Sequence, residues 1–355
     1  MLGNTLFNTL LIDKLVIRAD KALLNTDTET LVNKWQTVME QHFPSNAYKI
    51  KTSRNMVRLI FTPTRYGNNA DGITDTNLIM PLEAELYSLF QELGFYDLDE
   101  NDLKAFNVAE IHLTMNILVE HLPYLYLKYL KNRNYKGFLA PINEGSNNNT
   151  LILSPLTRTN KEKDFKGTKK YMFYDKVLEL IDKANLREVF LRLPLSEKEI
   201  NMLPDSAYNP NTQALYLEGL NILRTEMQFT GTSSISYITR FLDEEAYKAD
   251  KHLTLSTLLR LLDNGILYEA LVAFYKKELE QKIFYDSPET SKVKLNKYEQ
   301  LLAELMEKES ATYYLAMYKE CNYEKSLKEL INKIQGVDDN SLYAEMYRQF
   351  DLRKL

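Results

Sequence analysis

Cysteine is almost absent from this chain of 355 residues, which contains Cys321 alone. A single thiol excludes an intrachain disulfide and any zinc site built from several cysteines. This usage is typical of proteins that work in a reducing compartment, so we expect a cytoplasmic location.

Long apolar runs are also missing, and none approaches the length that spans a bilayer. The apolar segment Leu6–Val16 is interrupted by Asp13 and Lys14, and no basic segment precedes it. It therefore predicts a strand rather than a signal peptide, and we expect no membrane partner.

Positive charge is not in excess, since the net charge is −5. This balance excludes a protein that coats nucleic acid indiscriminately, but it is compatible with a local basic groove. The chain has no Walker-type glycine loop, so we expect no ATPase or helicase activity of its own.

The pattern that is present predicts an α+β fold over the first two thirds of the chain. Alternating apolar residues predict strands, and apolar residues at helical spacing predict helices. Proline early in two of the helices and glycine at the end of one support these bounds. The predicted strands are 10–18, 55–63, 110–117, 150–156 and 221–229, and the predicted helices are 28–43, 81–95 and 122–133.

The chain changes character after about residue 232, because only Gly265 and Gly336 follow and the helical period takes over. We predict two domains, 1–231 with a sheet and 232–355 all α-helical. Amphipathic helices are predicted over Leu253–Phe284, Leu295–Glu309 and Ser326–Ile334. They could bind duplex DNA, recruit a host helicase or form a homodimer.

Two predicted strands carry polar side chains that could share one divalent cation. On the strand 110–117, Glu110 and His112 are neighbours on the polar face because side chains alternate. The strand 221–229 places Glu226 on one face, where it would be a third ligand or an outer carboxylate if the strands are adjacent. The simpler alternative is that both faces are the solvated sides of antiparallel strands.

The segment 158–176 is basic, with seven basic and three acidic residues in a chain that is negative overall. Cations beside aromatic rings suit single-stranded DNA, because cations bind phosphates and rings stack on bases. A solvated loop is the alternative for the lysines alone. The residues that we expect to contact DNA here are Arg158, Lys163, Lys166, Lys169 and Lys170.

The same segment contains Tyr171 and Tyr174, three residues apart. On a helix both could reach the metal, whereas on a strand they would point oppositely and only one could be a nucleophile. A phenol has a pKa near 10 and needs help to attack at neutral pH. A metal that polarises the scissile phosphate would supply it, and Lys176 could stabilise the developing negative charge.

These segments together resemble the replication initiators of filamentous phages and rolling-circle plasmids, a divergent branch of the HUH endonucleases. EIHLTMNI resembles the family's RIDITYN strand, and FYDK resembles IYDK, whose tyrosine is the nucleophile. LRTEMQF resembles LRIELRL, LIDKLVI resembles MIDTLRL, RYGNN resembles KFLYGNN, and LTLSTLLRLLDNGIL is similar to a helical segment after the nuclease domain. The resemblance covers most of 11–267 in the family's order.

The resemblance implies an antiparallel-sheet HUH-like nuclease domain that nicks single-stranded DNA and initiates rolling-circle replication. Tyr174 would attack the scissile phosphorus and stay joined to the 5′ end, with Mg²⁺ or Mn²⁺ as cofactor. Glu110, His112 and Glu226 would bind the metal, and Arg224 would contact a single-stranded or hairpin origin. Glu110 departs from the family, because it stands where the His-hydrophobic-His motif has its first histidine.

Three alternatives stay open. The first is a catalytically inactive HUH-like protein that only binds DNA, which the glutamate at position 110 favours. The second is a related transposase or relaxase, which shares the chemistry but differs in its substrate. The third is an interaction scaffold built on the C-terminal helices.

Overall fold

The structure is a computed structural model that describes residues 9–68, 82–121, 123–133, 135, 138, 142–144, 150–155, 169–176, 179, 221–284 and 339–350. It confirms a mixed α+β architecture built on one antiparallel sheet. The predicted helices Leu295–Glu309 and Ser326–Ile334 lie outside the described residues.

Eight strands form the sheet, in the order β2-β3-β1-β4-β8-β7-β6-β5. Every pair of neighbours is antiparallel. The strands are β1 Leu10–Asp20, β2 Tyr48–Thr52, β3 Met56–Phe61, β4 Asn107–Leu118, β5 Ile142–Glu144, β6 Thr150–Leu153, β7 Lys169–Asp175 and β8 Ile222–Thr230. β4 and β8 are therefore adjacent at the centre of the sheet, although more than a hundred residues of sequence separate them.

Helices lie between these strands along the chain and follow the last of them. The helices are α1 Thr28–His42, α2 Leu82–Glu92, α3 Glu100–Ala105, α4 Pro123–Asn132, α5 Thr232–Leu242, α6 Glu244–Asp250, α7 Leu255–Asp263, α8 Leu267–Glu278 and α9 Asp339–Gln349. None of these described helices combines the length and the apolar character that crossing a bilayer requires.

One apolar core joins the sheet to helices from both parts of the chain. Trp35 of α1 is fully buried and packs with its ring against Phe95 and Phe106. On the same apolar side of the sheet, Phe229 of β8 packs against Phe274 of α8 at a ring-centroid distance of 5.4 Å. α8 thus buries apolar surface against the sheet, which stabilises its packing there.

Several elements differ from the sequence prediction. β2, β5 and α3 were not predicted, since they are short and β2 carries lysines at two of its five positions. The predicted helix Leu253–Phe284 is broken in two by Gly265, whose φ of 64° is the left-handed conformation in which glycine commonly ends a helix. The strand and the helix that begin at positions 110 and 122 agree with β4 and α4.

Candidate functional site

A polar surface on the sheet, opposite the apolar core, is assembled from β1, β4, β8 and β7. Residue pairing places His112 opposite Gln228 and Thr114 opposite Glu226 across β4 and β8. On the other side of β8, Tyr174 pairs with Arg224. The condition stated for Glu226, that its strand lies beside the 110–117 strand, is therefore met. The face is largely buried rather than solvated.

The predicted metal ligands form a chain of ion pairs with the imidazole in the middle. His112 Nε2 lies 2.8 Å from Glu110 Oε1, and His112 Nδ1 lies 2.9 Å from Glu226 Oε1. Lys14 extends the chain, because its Nζ lies 2.7 Å from the same Glu110 oxygen. Arg58 approaches the other Glu110 oxygen at 3.6 Å.

This arrangement shifts the pKa of each of the three groups. The hydrogen bond from His112, together with Lys14, lowers the pKa of Glu110 to about 2. Burial would lower the pKa of His112, but its two carboxylate partners outweigh burial and raise that pKa. Burial would raise the pKa of Glu226, but the hydrogen bond from His112 leaves it below its usual value. Both carboxylates are therefore ionised at neutral pH.

Tyr174 enters the same network through Glu226. Its hydroxyl donates to Glu226 Oε2 at 3.3 Å, while Gln228 Nε2 donates to Oε1 at 2.8 Å. The Tyr174 side chain is 7% exposed, and burial raises its pKa well above 10, an effect that the Arg224 guanidinium opposes. At neutral pH the Tyr174 phenol is protonated and donates its hydrogen bond to the ionised Glu226 carboxylate.

Arg224 does not contact solvent and cannot act as the predicted surface contact to DNA, because it is 1% exposed. One guanidinium nitrogen lies 2.8 Å from Asp13 Oδ1, and its Nε donates to Thr114 Oγ1 at 2.8 Å. The guanidinium carbon lies 5.9 Å from the centre of the Tyr174 ring. A buried cation beside a phenol stabilises its ionised form, so Arg224 is placed to support Tyr174 rather than a phosphate.

Neither the models of known protein families nor the curated protein sequences match this chain. The assignment of function therefore depends on the geometry of the site.

Lys176 follows β7 directly and is buried beside the cluster. Its Nζ lies 2.6 Å from Glu179 Oε2, and its charge contributes to lowering the pKa of Asp13. The structure thus brings Lys176 to the same region as Tyr174, as the sequence predicted, but with a carboxylate as its immediate partner.

Tyr171 and Lys169 are separated from the site, which corrects two of the predicted roles. Residues 169–175 form a strand rather than a helix, so alternate side chains point to opposite faces. The Tyr171 hydroxyl donates to Glu278 Oε2 at 2.5 Å on the helical side. Lys169 lies on that side too, with Nζ 3.4 Å from the centre of the Tyr237 ring.

Lys170, by contrast, pairs with Gln228 on the polar face. The predicted DNA contacts Arg158, Lys163 and Lys166 lie outside the described residues.

Asp13 is a site residue that the sequence prediction missed. The pairing of β1 with β4 shifts register between Ile12 and Lys14, a β-bulge that turns Asp13 toward Arg224 and Thr64. Bulges commonly re-aim a side chain in this way. Burial alone would raise the pKa of Asp13, but the charge of the Arg224 guanidinium opposes this and the net pKa lies below its usual value.

A row of three cations across β1, β3 and β2 was missed as well. Arg58 pairs directly with Arg18 on one side and with Lys51 on the other. Arg18 and Lys51 are exposed, and Arg58 extends from this row to Glu110. Like charges directly opposite each other in a sheet are destabilising. Only the pairing of β1, β2 and β3 reveals this row.

The imidazole and carboxylate groups of this cluster are of the kinds that bind a divalent cation. Their arrangement does not let Glu110, His112 and Glu226 all bind one ion at once. His112 lies between the carboxylates, so one imidazole nitrogen faces each of them. The 2.9 Å between His112 Nδ1 and Glu226 Oε1 is close to the separation of neighbouring ligands around a metal with ligand distances of about 2.1 Å. Glu110 then holds the other nitrogen, as outer carboxylates do for histidine ligands.

Proposed function

We propose that this protein is a metal-dependent enzyme that nicks and rejoins single-stranded DNA through a tyrosine. The observation that carries the proposal is the shared Glu226 carboxylate, which contacts the Tyr174 hydroxyl through one oxygen and His112 through the other. Three separate strands, β4, β7 and β8, supply these groups. Initiation of rolling-circle replication is the biological role that we propose.

In this proposal Tyr174 Oη attacks a phosphorus of the DNA backbone, and a bond forms between the phenolic oxygen and phosphorus. The bond from phosphorus to the 3′-oxygen breaks, and that oxygen takes up a proton as a 3′-hydroxyl. The phenolic proton passes toward Glu226. The strand on the 5′-phosphate side of the cut stays on the protein, and attack by a 3′-hydroxyl reverses the step.

The shifted pKa values of Tyr174 and Glu226 indicate what the proton transfer between them requires. Burial raises the pKa of Tyr174, and the net pKa of Glu226 is low, so proton transfer between them is uphill in the present arrangement. The nearby Arg224 guanidinium favours the phenolate. A divalent cation held by His112 and Glu226, with Glu110 orienting the imidazole, would polarise the scissile phosphate.

The basic row supports a DNA substrate. Arg18 and Lys51 are exposed on the same face of the sheet as Arg58, which reaches into the cluster through Glu110. Exposed cations at the border of a buried acidic site can bind the phosphates that flank a reacting phosphate. Lys170 borders the cluster on the β7 side.

One observation favours a second candidate, a protein that binds DNA without cutting it. Tyr174 is 7% exposed and its hydroxyl is already bonded, so a phosphodiester reaches it only after the groups that cover it move. In this candidate the cluster is a buried polar network that supports a DNA-binding surface.

The test is formation of a covalent adduct. The full chain is incubated with single-stranded oligonucleotides that tile its own replicon, labelled at the 3′ end, with Mn²⁺ or with EDTA. We expect a metal-dependent labelled band on a denaturing protein gel, lost in Tyr174→Phe and retained in Tyr171→Phe. Tyr171→Phe is the matched control because it removes a hydroxyl from the same strand on the opposite face.

An adduct that survives Tyr174→Phe would contradict the assignment of the nucleophile. Retention of DNA binding with no adduct on any oligonucleotide would favour the second candidate over the first.

A further inference from the structure

A second group of metal-ligating side chains lies where β4 ends and α9 packs. Glu120 and His121 lie just after β4, which ends at Leu118, and Glu345 comes from α9. One ligand atom from each of these three residues lies within 4.8 Å of the other two. This group is separate from the cluster around His112, which lies in the body of the strand.

Glu345 is a buried carboxylate whose described partners are all neutral. It is 6% exposed, and its Oε1 accepts from the backbone N–H of Glu120 at 2.6 Å. Its Oε2 accepts from the hydroxyl of Tyr126, which is itself fully buried. Within the part of the chain that the structure describes, no basic side chain forms an ion pair with Glu345. Burying a carboxylate without an ion-pair partner is costly, and a bound cation would supply that partner to Glu345.

The other two groups have donor atoms to spare. The His121 ring stacks on Tyr126 with centroids 6.5 Å apart, and among the described residues its nitrogens have no hydrogen-bond partner. Glu120 is exposed, and among the described residues its carboxylate contacts Arg348 through Oε1, at 2.8 Å. The His121 imidazole and the second Glu120 oxygen are thus available next to the buried Glu345 carboxylate.

We propose that Glu120, His121 and Glu345 bind a divalent transition-metal ion, Zn²⁺ by the chemistry of the donors. Zn²⁺ takes nitrogen and oxygen ligands together in tetrahedral sites, and three protein ligands leave the fourth position to water. An imidazole among the ligands favours such a metal over Mg²⁺ or Ca²⁺, which prefer oxygen alone. The ion compensates the Glu345 charge and joins α9 to the end of β4.

The test uses the full chain, stripped of metal with a chelator and then titrated with Zn²⁺ by calorimetry. Co²⁺ is used in parallel because its visible absorption reports coordination. We expect one Zn²⁺ site to be lost, or weakened at least about tenfold, in His121→Gln and in Glu345→Gln. His252→Gln is the matched control, since His252 is an exposed histidine outside both clusters.

A second measurement separates this site from the proposed catalytic site. His112→Asn should leave the Zn²⁺ site at His121 intact, whereas His121→Gln should leave the tyrosine adduct intact. Hydrogen exchange of the backbone amides of 339–350 should slow on addition of Zn²⁺ in the wild type and in His112→Asn, but not in His121→Gln.

Unchanged Zn²⁺ stoichiometry and affinity in His121→Gln would overturn the proposal, as would exchange in 339–350 that does not respond to Zn²⁺. His121 is only partly buried, so its substitution should leave the fold intact, which far-ultraviolet circular dichroism checks.

Discussion

Tyr174 and His112 bind opposite oxygens of one carboxylate, at 3.3 Å and 2.9 Å from Glu226 Oε2 and Oε1. The side chains come from three strands, so their meeting is a property of the sheet rather than of a local motif. A change in the charge of His112 therefore alters the electrostatic environment of Glu226, the carboxylate that accepts the hydrogen bond from the Tyr174 hydroxyl. In the proposed enzyme this couples metal binding to the reactivity of the tyrosine.

Glu110 holds the His112 nitrogen that faces away from Glu226. If Glu110 orients the imidazole rather than binding the metal, Glu110→Gln should weaken Mn²⁺ binding by about 10- to 100-fold without abolishing it. Mn²⁺ titration followed by electron paramagnetic resonance measures this, in a His121→Gln background so that the second proposed site does not contribute. His112→Asn should abolish binding.

The exposed Glu245→Gln variant is the control and should leave Mn²⁺ affinity unchanged. If Glu110→Gln abolishes binding as completely as His112→Asn does, Glu110 is a ligand. Unaltered affinity would instead remove Glu110 from the site.

The basic row gives a prediction with two readouts of opposite sign. The double variant Arg18→Gln, Lys51→Gln should bind single-stranded DNA several-fold more weakly. Each lost phosphate contact should lower the slope of log K against log salt by about 0.7. Thermal stability should stay the same or rise slightly, because like charges opposite one another destabilise a sheet.

Fluorescence anisotropy across a salt series measures the slope. Lys104→Gln is the matched control, an exposed lysine on α3 whose described partner is Glu100, in the same helix. An unchanged slope in the double variant would show that the row does not contact phosphates, and a large fall in stability would give it a structural role.

Local patterns predicted much of the candidate site, because alternation within one strand decides which side chains share a face. Glu110 and His112 were placed on one face for this reason, and the same rule placed Glu226 on the polar face of its own strand. That this strand lies beside theirs was left open by the sequence and is shown by the pairing of β4 with β8. Whether Tyr171 shares a face with Tyr174 was ambiguous because the segment could be a helix or a strand. The burial of Arg224 was not predicted, since nothing local distinguishes an inward arginine from an outward one.

What the sequence did not reveal depends on pairing between distant strands. Asp13 enters the site through a β-bulge whose effect appears only when β1 is aligned with β4. The basic row requires β3 to lie between β1 and β2, and each strand alone shows only an ordinary exposed cation. Glu345 meets His121 only because α9 returns to the end of β4.

Glu85 on α2 gives a prediction for the pH dependence of stability. Burial raises the pKa of this carboxyl to about 7, from 4.5. A raised folded-state pKa means that the folded protein holds the proton more tightly than the unfolded chain does. The contribution of this carboxyl group to the free energy of unfolding is complete below the unfolded pKa. It is lost as the pH rises from about 4.5 through about 7.

Glu85→Gln removes this dependence, because an uncharged amide has the same burial at every pH. Raising the pH from 5.5 to 8.5 should therefore lower the free energy of unfolding of the wild type by about 1 kcal/mol more than that of Glu85→Gln. This figure is discounted from 1.36 kcal/mol per pKa unit because solvent reaches the partly exposed carboxylate. Urea unfolding at the two pH values measures it, with the exposed Glu245→Gln as the control that should follow the wild type. If Glu85→Gln also follows the wild type, the Glu85 carboxylate is solvated in the folded protein and its burial is not the source of any pH dependence.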